Sequence, residues 1–203
     1  MTEREEMLLK MYDQLFNDIN RHIMVIWQSV GVLVGAFAIF ALVEKKVIPL
    51  DIAASIILLL CSWLIAHLLD AAYWYNRNLV MIANIERQFL NRSDLKEIHY
   101  YFGAHRPKNK MIEHLKLQLA LGLGLGTIVI LYHFFDVVLP AIDCKDSAIT
   151  FLNTTPYLLV LAAAAYLLEL KRKLVAKYDE FITNSPGKDI NSDDINYGVG
   201  HGH

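Results

Sequence analysis

Apolar residues in this chain gather into four runs, and the polar segments between them keep a helical period. Ile23 to Val43 is 21 residues without a charge, Ile52 to Leu69 is 18, and Leu119 to Phe135 is 17. The fourth run, Tyr157 to Leu168, is only 12 residues and follows the mixed stretch Ala148 to Pro156. A helix crossing a bilayer needs roughly 20 apolar residues, within a range of about 17 to 25. The first three runs qualify on length. The fourth qualifies if Ala148 to Thr155 also enters the membrane or the bilayer thins there. The expected fold is therefore all-α: a polytopic membrane protein with four transmembrane helices, 23–43, 52–69, 119–135 and 155–170, extended into a cytoplasmic helical bundle.

The polar segments support the bundle. In the cytoplasmic amphipathic helix 1–22, Leu8, Tyr12, Leu15 and Ile19 recur every three or four residues, while Glu6, Lys10, Asp13, Asn17 and Arg21 take the opposite face. No Gly or Pro separates this helix from the first span, so one helix is expected from about Glu5 to Val43. The second span continues through AAYWYNRNLVMIANIERQFL into a cytoplasmic helical hairpin, 70–118, whose tip holds a short helix capped by Ser93 and closed near Gly103. Outer loops are expected at 44–51 and 136–154, with Thr155 and Pro156 opening the fourth span. A helix over 171–184 buries Leu174, Tyr178, Phe181 and Ile182, and TNSPG stops it before a polar, Gly-rich tail, 185–203, expected to be disordered.

Charge then orients the chain. Sixteen of the 19 Lys and Arg residues fall in segments 1–22, 70–118 and 171–203, and three fall in the two intervening loops. The positive-inside rule puts both termini and the middle segment in the cytoplasm. Three glutamates among the first six residues are unlike a secretory signal, so the first run reads as a retained anchor. Hydrophobic residues make up 55% of the chain and net charge is only -2, so no basic field points to DNA. Cys61 and Cys144 are far apart and make neither a disulfide framework nor a zinc spacing, and no metal or cofactor motif occurs.

Several residues are candidates for function. GLGLG, Gly122 to Gly126, lacks the G-x-G-x-x-G spacing and the preceding strand of a nucleotide site. Gly122 with Gly126, and Gly31 with Gly35, instead form the G-x-x-x-G pairs that let helix backbones approach in lipid. Below the second span, Asp70, Arg77, Asn84, Gln88 and Asn91 share one helical face beneath the interfacial aromatics Tyr73 and Trp74. That face is either a polar seam inside the bundle or the mouth of a pore. His67 lies near the cytoplasmic end of its span and His133 near the outer end of its own, so they are not expected to act as a pair. Asn153-Thr154-Thr155 is formally a glycosylation sequon.

Two resemblances bear on function. Arg92 and His99 in RSDLKEIH resemble the short signature of HEPN ribonucleases, a pair that chance also supplies in a chain with eight histidines. The layout, with the segment DAAYWYNRNLVMIANIER, resembles small prokaryotic tetraspan proteins of the SLATT and CRISPR-accessory kinds. That resemblance implies a defence-associated homo-oligomer in a prokaryotic inner membrane. The expectation is a non-enzymatic pore-forming or membrane-perturbing effector that responds to a cytosolic signal. An anchor or scaffold that recruits a cytosolic protein partner is the alternative, and a membrane-tethered ribonuclease is the remote one.

Overall fold

The computed structural model describes residues 1–24, 26–91, 93–94, 108–143, 150–185 and 187. These residues are helical throughout the long elements: α1 (Glu3–Ile23), α2 (Ile26–Glu44), α3 (Leu50–Phe89), α4 (Glu113–His133), a π-helical turn (Phe134–Val138), α5 (Leu139–Asp143) and α6 (Phe151–Asn184). The helices Leu50–Phe89, Glu113–Ile142 and Phe151–Asn184 are long and apolar enough to cross a membrane, which marks the chain as a membrane protein. Of the helix expected from Glu5 to Val43, the described residues give α1, ending at Ile23, and α2, beginning at Ile26.

The chain divides into two compact units. One comprises Met1–Met24, Ala71–Lys110 and Leu174–His203; the other comprises Val25–Asp70 and Met111–Lys173. In the first unit, Leu15 and Ile19 of α1 pack with Leu79, Ile82 and Ile85 of α3, and Leu8, Tyr12 and Phe16 close over them. The sequence stripe is thus the buried one. Leu174 and Tyr178 of α6 are also buried, and the Tyr178 ring meets Tyr73 edge-on at 6.4 Å. Asn76, wholly buried, donates at 2.8 Å to Asn109 Oδ1 and to the Lys110 carbonyl, fixing the chain that enters α4.

In the second unit α3 is the central helix. Of its most apolar 18 residues 39% are buried, against 11% for α4 and 6% for α6, so the latter two present apolar surface outward. Ala54, Ile57, Leu58 and Cys61 of α3 form the core with Ala36 of α2 and Val129 of α4. The contacts fix directions. The Ser29 hydroxyl donates to Gln118 Oε1 and Phe40 meets Tyr132, so α2 and α4 run parallel. Leu64 and Ile65 face Gly122 whereas Leu58 faces Gly126, so α3 runs against α4.

Helix ends follow local chemistry. Val47 N–H bonds to Leu42 O at 2.9 Å and Lys46 N–H to Val43 O at 2.8 Å, with Lys46 at φ 57°. This is a Schellman turn with lysine where glycine is usual. Thr150, not Thr155, opens α6. Its hydroxyl accepts from Asn153 N–H at 3.4 Å and its own N–H donates to Asn153 Oδ1 at 2.8 Å, a reciprocal cap. Pro156 therefore lies inside the helix rather than at its first position. Helix also occupies 136–143 and 151–154, much of the stretch expected to be a loop, because the π-helical turn carries α4 onward into α5. The hairpin tip with Arg92 and His99, the tail beyond residue 187, and Cys144 lie outside the described residues.

Candidate functional site

The second unit holds a cluster of ionisable and polar side chains at one end of three helices, with Asp51 and His133 buried and Asn153 and Tyr157 part-buried. Asp51 comes from the first turn of α3, His133 from the last residue of α4, and Asn153 and Tyr157 from the start of α6. His133 Nε2 lies 3.0 Å from Asp51 Oδ1, and His133 Nδ1 lies 3.0 Å from the Tyr157 hydroxyl. Asn153 Nδ2 donates to the same Asp51 oxygen at 3.1 Å. The imidazole is completely buried and the Asp51 side chain is 12% exposed. Asp51 suits its place, because free N–H groups and the helix dipole favour a carboxylate in a first turn. The π-helical turn begins directly after His133, and such turns re-aim side chains at functional sites.

Hydrogen-bond roles in the cluster are mutually consistent. A carboxylate only accepts, so against one His133 donates from Nε2. Nδ1 then accepts from the Tyr157 hydroxyl.

The polar face expected below the second span is divided. Asp70 falls in the second unit, and the other four residues fall in the first. Arg77 sits between rings, its guanidinium 5.1 Å from the Trp74 centroid and 5.4 Å from that of Phe181. Asn84 donates to the Ser185 carbonyl at 3.3 Å and accepts from Arg87. Gly187, at φ 75°, lies so close to the Asn84 amide that a Cβ there would collide with it. Gln88 is exposed, donating to the Asn84 carbonyl and accepting from Arg4 at 3.4 Å. Asn91 is exposed and its N–H bonds to Asp94. Tyr73 is packed on Tyr178 while Trp74 is partly exposed. Arg77 and Asn84 therefore bind α6 to α3.

Beside that seam lies a pair the sequence reading missed. Tyr12 of α1 donates to Glu86 Oε1 of α3 at 3.0 Å. Burial raises the Glu86 carboxyl above its usual range, against the lowering effects of Tyr12 and Arg87. Burial first, and then Glu86, pushes the Tyr12 hydroxyl up to about 12. Glu86 Oε2 and Arg87 Nε are buried without a hydrogen-bond partner among the described residues.

The glycine pairs differ in what they touch. Gly122 is set against Leu64 and Ile65, where an added Cβ would lie 3.4 Å and 3.6 Å from the side chains, and Gly126 faces Leu58 and Cys61. Gly31 has nothing within 4 Å and Gly35 only Leu60 at 4.0 Å. An apolar cleft of about 310 Å³ opens between α3, α4 and α6, floored by Ser62, Gly122, Gly126, Ala163 and Ala164. His67 stacks on Trp63 with centroids 5.2 Å apart, remote in sequence and contacts from the His133 cluster. No group of three or more metal-ligating side chains occurs among the described residues.

Comparison with protein families, with curated proteins and with solved structures finds no match to this chain.

Proposed function

We propose that the chain is a four-span integral membrane protein that works as a homo-oligomeric anchor. In this reading the first unit is the part that meets a cytosolic protein partner. The membrane is a prokaryotic inner membrane, and both termini face the cytosol, a placement that the lysine and arginine distribution supports. The fourth span is α2, whose alternation in direction with α3 and α4 is what a membrane hairpin needs. The observation that carries the anchor reading is the use of the polar face. Arg77 is held between Trp74 and Phe181, and Asn84 holds Ser185, contacts that support a folding role for these groups. Small residues flooring the cleft between α3, α4 and α6 support self-association, because lipid offers helices no hydrophobic drive and close backbone approach must supply it. Purification in mild detergent tests both parts. A complex with several copies and a co-purifying cytosolic protein is expected; a monomer that returns nothing else would sink the reading.

A second reading, a membrane-perturbing effector, has its own support. A buried Asp51–His133 pair beside a π-helical turn, with Pro156 inside the neighbouring helix, is a set of features found where spans move. Dye release from liposomes is its test, and membranes that stay sealed under every stimulus applied would exclude it.

A further inference from the structure

We infer that the cleft between α3, α4 and α6 holds one acyl chain of an anionic phospholipid, whose phosphate rests on Lys116 and Lys171 at the end of the cleft. The inference goes beyond the anchor reading. It needs only that these three helices lie in a bilayer, and they are the three long and apolar enough to cross one. A second copy closing over the filled cleft would leave the anchor reading intact.

The walls of the cleft set what it accepts. All of its lining residues belong to the second unit, and its volume is about 310 Å³. That space suits one flexible hydrocarbon chain better than a helix about 10 Å across. Ser62 and Thr127 supply the lining hydroxyls, and each donates one turn back in its own helix, to the Leu58 carbonyl at 2.7 Å and the Leu123 carbonyl at 2.8 Å. No charged side chain lines it among the described residues. A polar ligand would give up its bonds to water there and gain none, whereas hydrocarbon has none to lose.

Two lysines stand at the end of the cleft far from Asp51 and His133. Asp51, His133 and Tyr157 meet at one end of the three helices. Lys116 lies 17 residues before His133, and Lys171 lies 14 residues after Tyr157. At about 1.5 Å per residue these are distances of about 25 Å and 21 Å, so the two lysines sit at nearly one height. Lys116 precedes Leu123 by two helical turns, and Lys171 follows Ala164 by two, which puts each on the helix face that lines the cleft. Both are exposed. Lys116 pairs with Glu113, and Arg172 and Lys173 share Glu169, but no described carboxylate pairs with Lys171. Lys116, Lys171, Arg172 and Lys173 outnumber Glu113, Glu169 and Asp70, the carboxylates at this end of the unit. A lysine laid along apolar surface reaches the headgroup layer and meets phosphate as a point charge. The excess draws an anionic headgroup and does not draw a zwitterionic one.

The test uses the full chain in phosphatidylcholine vesicles with a trace of phosphatidylglycerol that carries a photoreactive diazirine on one acyl chain. Adducts are expected at Leu123, Thr127 and Ala163, several-fold above those at the outward Leu161 and Tyr166. A phosphatidylcholine probe with the same chain should label the cleft several-fold less. Lys116→Gln with Lys171→Gln, both at exposed positions, should bring the phosphatidylglycerol adduct down to the phosphatidylcholine level. Ala164→Phe fills the cleft from an exposed position and should lower the cleft adduct of both probes while Leu161 and Tyr166 stay labelled. Equal cleft labelling by the two probes in the wild type, or cleft labelling no higher than at Leu161 and Tyr166, would overturn the proposal without any variant having to fold. Cleft labelling that falls as protein density in the vesicles rises would overturn it too, because another copy would then be the occupant.

Discussion

Asp51 and His133, 82 residues apart in the chain, meet at 3.0 Å in the interior of the second unit. Neither belongs to a motif, and each stands at the edge of an apolar run. Their contact joins the start of one long helix to the end of another, and Asn153 and Tyr157 bring in a third. Predictions follow from this cluster, from the helix ends and from the packing around α3.

Asn153 is not expected to carry a glycan, although it heads a formal sequon. Its amide nitrogen donates to Asp51 and its oxygen accepts from Thr150, so both ends are in use inside a helical turn. Expression in a glycosylating cell should give the same gel mobility for the wild type and Asn153→Gln. Asn153→Ala should lower stability by about 1 kcal/mol, the usual value of a helix cap, measured by detergent-phase thermal unfolding.

Lys46→Gly should stabilise the turn between α2 and α3. Lys46 holds φ at 57°, where a side chain costs about 1 kcal/mol relative to glycine. Part of that is returned through the freer unfolded chain. A net gain on the order of 0.5 kcal/mol is expected, and an unchanged or lower thermal midpoint would count against the Schellman geometry.

Glu86→Gln should raise stability at neutral pH. Burial holds the folded carboxyl above its unfolded value, so Glu86 favours folding when protonated, and this contribution is lost as pH rises through the folded value. Glutamine keeps an oxygen for the Tyr12 hydroxyl and carries no charge. The gain at pH 7, on the order of 1 kcal/mol for one part-buried orphaned oxygen, should shrink toward pH 4. Thermal midpoints across that range check both sign and trend. In an absorbance titration a tyrosine ionisation delayed to about 12 is expected, and Tyr12→Phe should remove it.

Gly126→Ala should be nearly neutral, because its added Cβ would sit 3.8 Å from Leu58 and 4.0 Å from Cys61 in ordinary contact. Gly122→Leu should not. Its side chain has to displace Leu64 and Ile65, and overpacking of this kind costs about 1–3 kcal/mol. Unfolding in mixed micelles separates the two, and equal losses would show that α4 does not pack on α3 through these glycines.

Much of the fold was legible because it is local. A run such as Ile52 to Leu69 has to satisfy its backbone internally, and only a helix does so within one segment. The stripe Leu8, Tyr12, Leu15 and Ile19, like Leu174 and Tyr178, states its buried face through the 3.6-residue period alone. In GLGLG, Gly122 faces Leu64 and Ile65 of α3 and Gly126 faces Leu58 and Cys61, while Gly124 has nothing within 4 Å, a distinction that depends on which helix lies alongside.

What the sequence determined by itself was helix, apolar length and the face each helix hides, since these depend on residues within a few turns. What only the tertiary structure decided was partnership. Tyr12 with Glu86, Arg77 between Trp74 and Phe181, and Asp51 with His133 and Tyr157 depend on which helix lies alongside and at what height. One hint was available in the last case. Alternating spans put residues 51, 133 and 157 at the same end, but a shared end leaves many side chains within reach. A polar group buried at that end finds its partner only when packing fixes the rotation of each helix about its own axis.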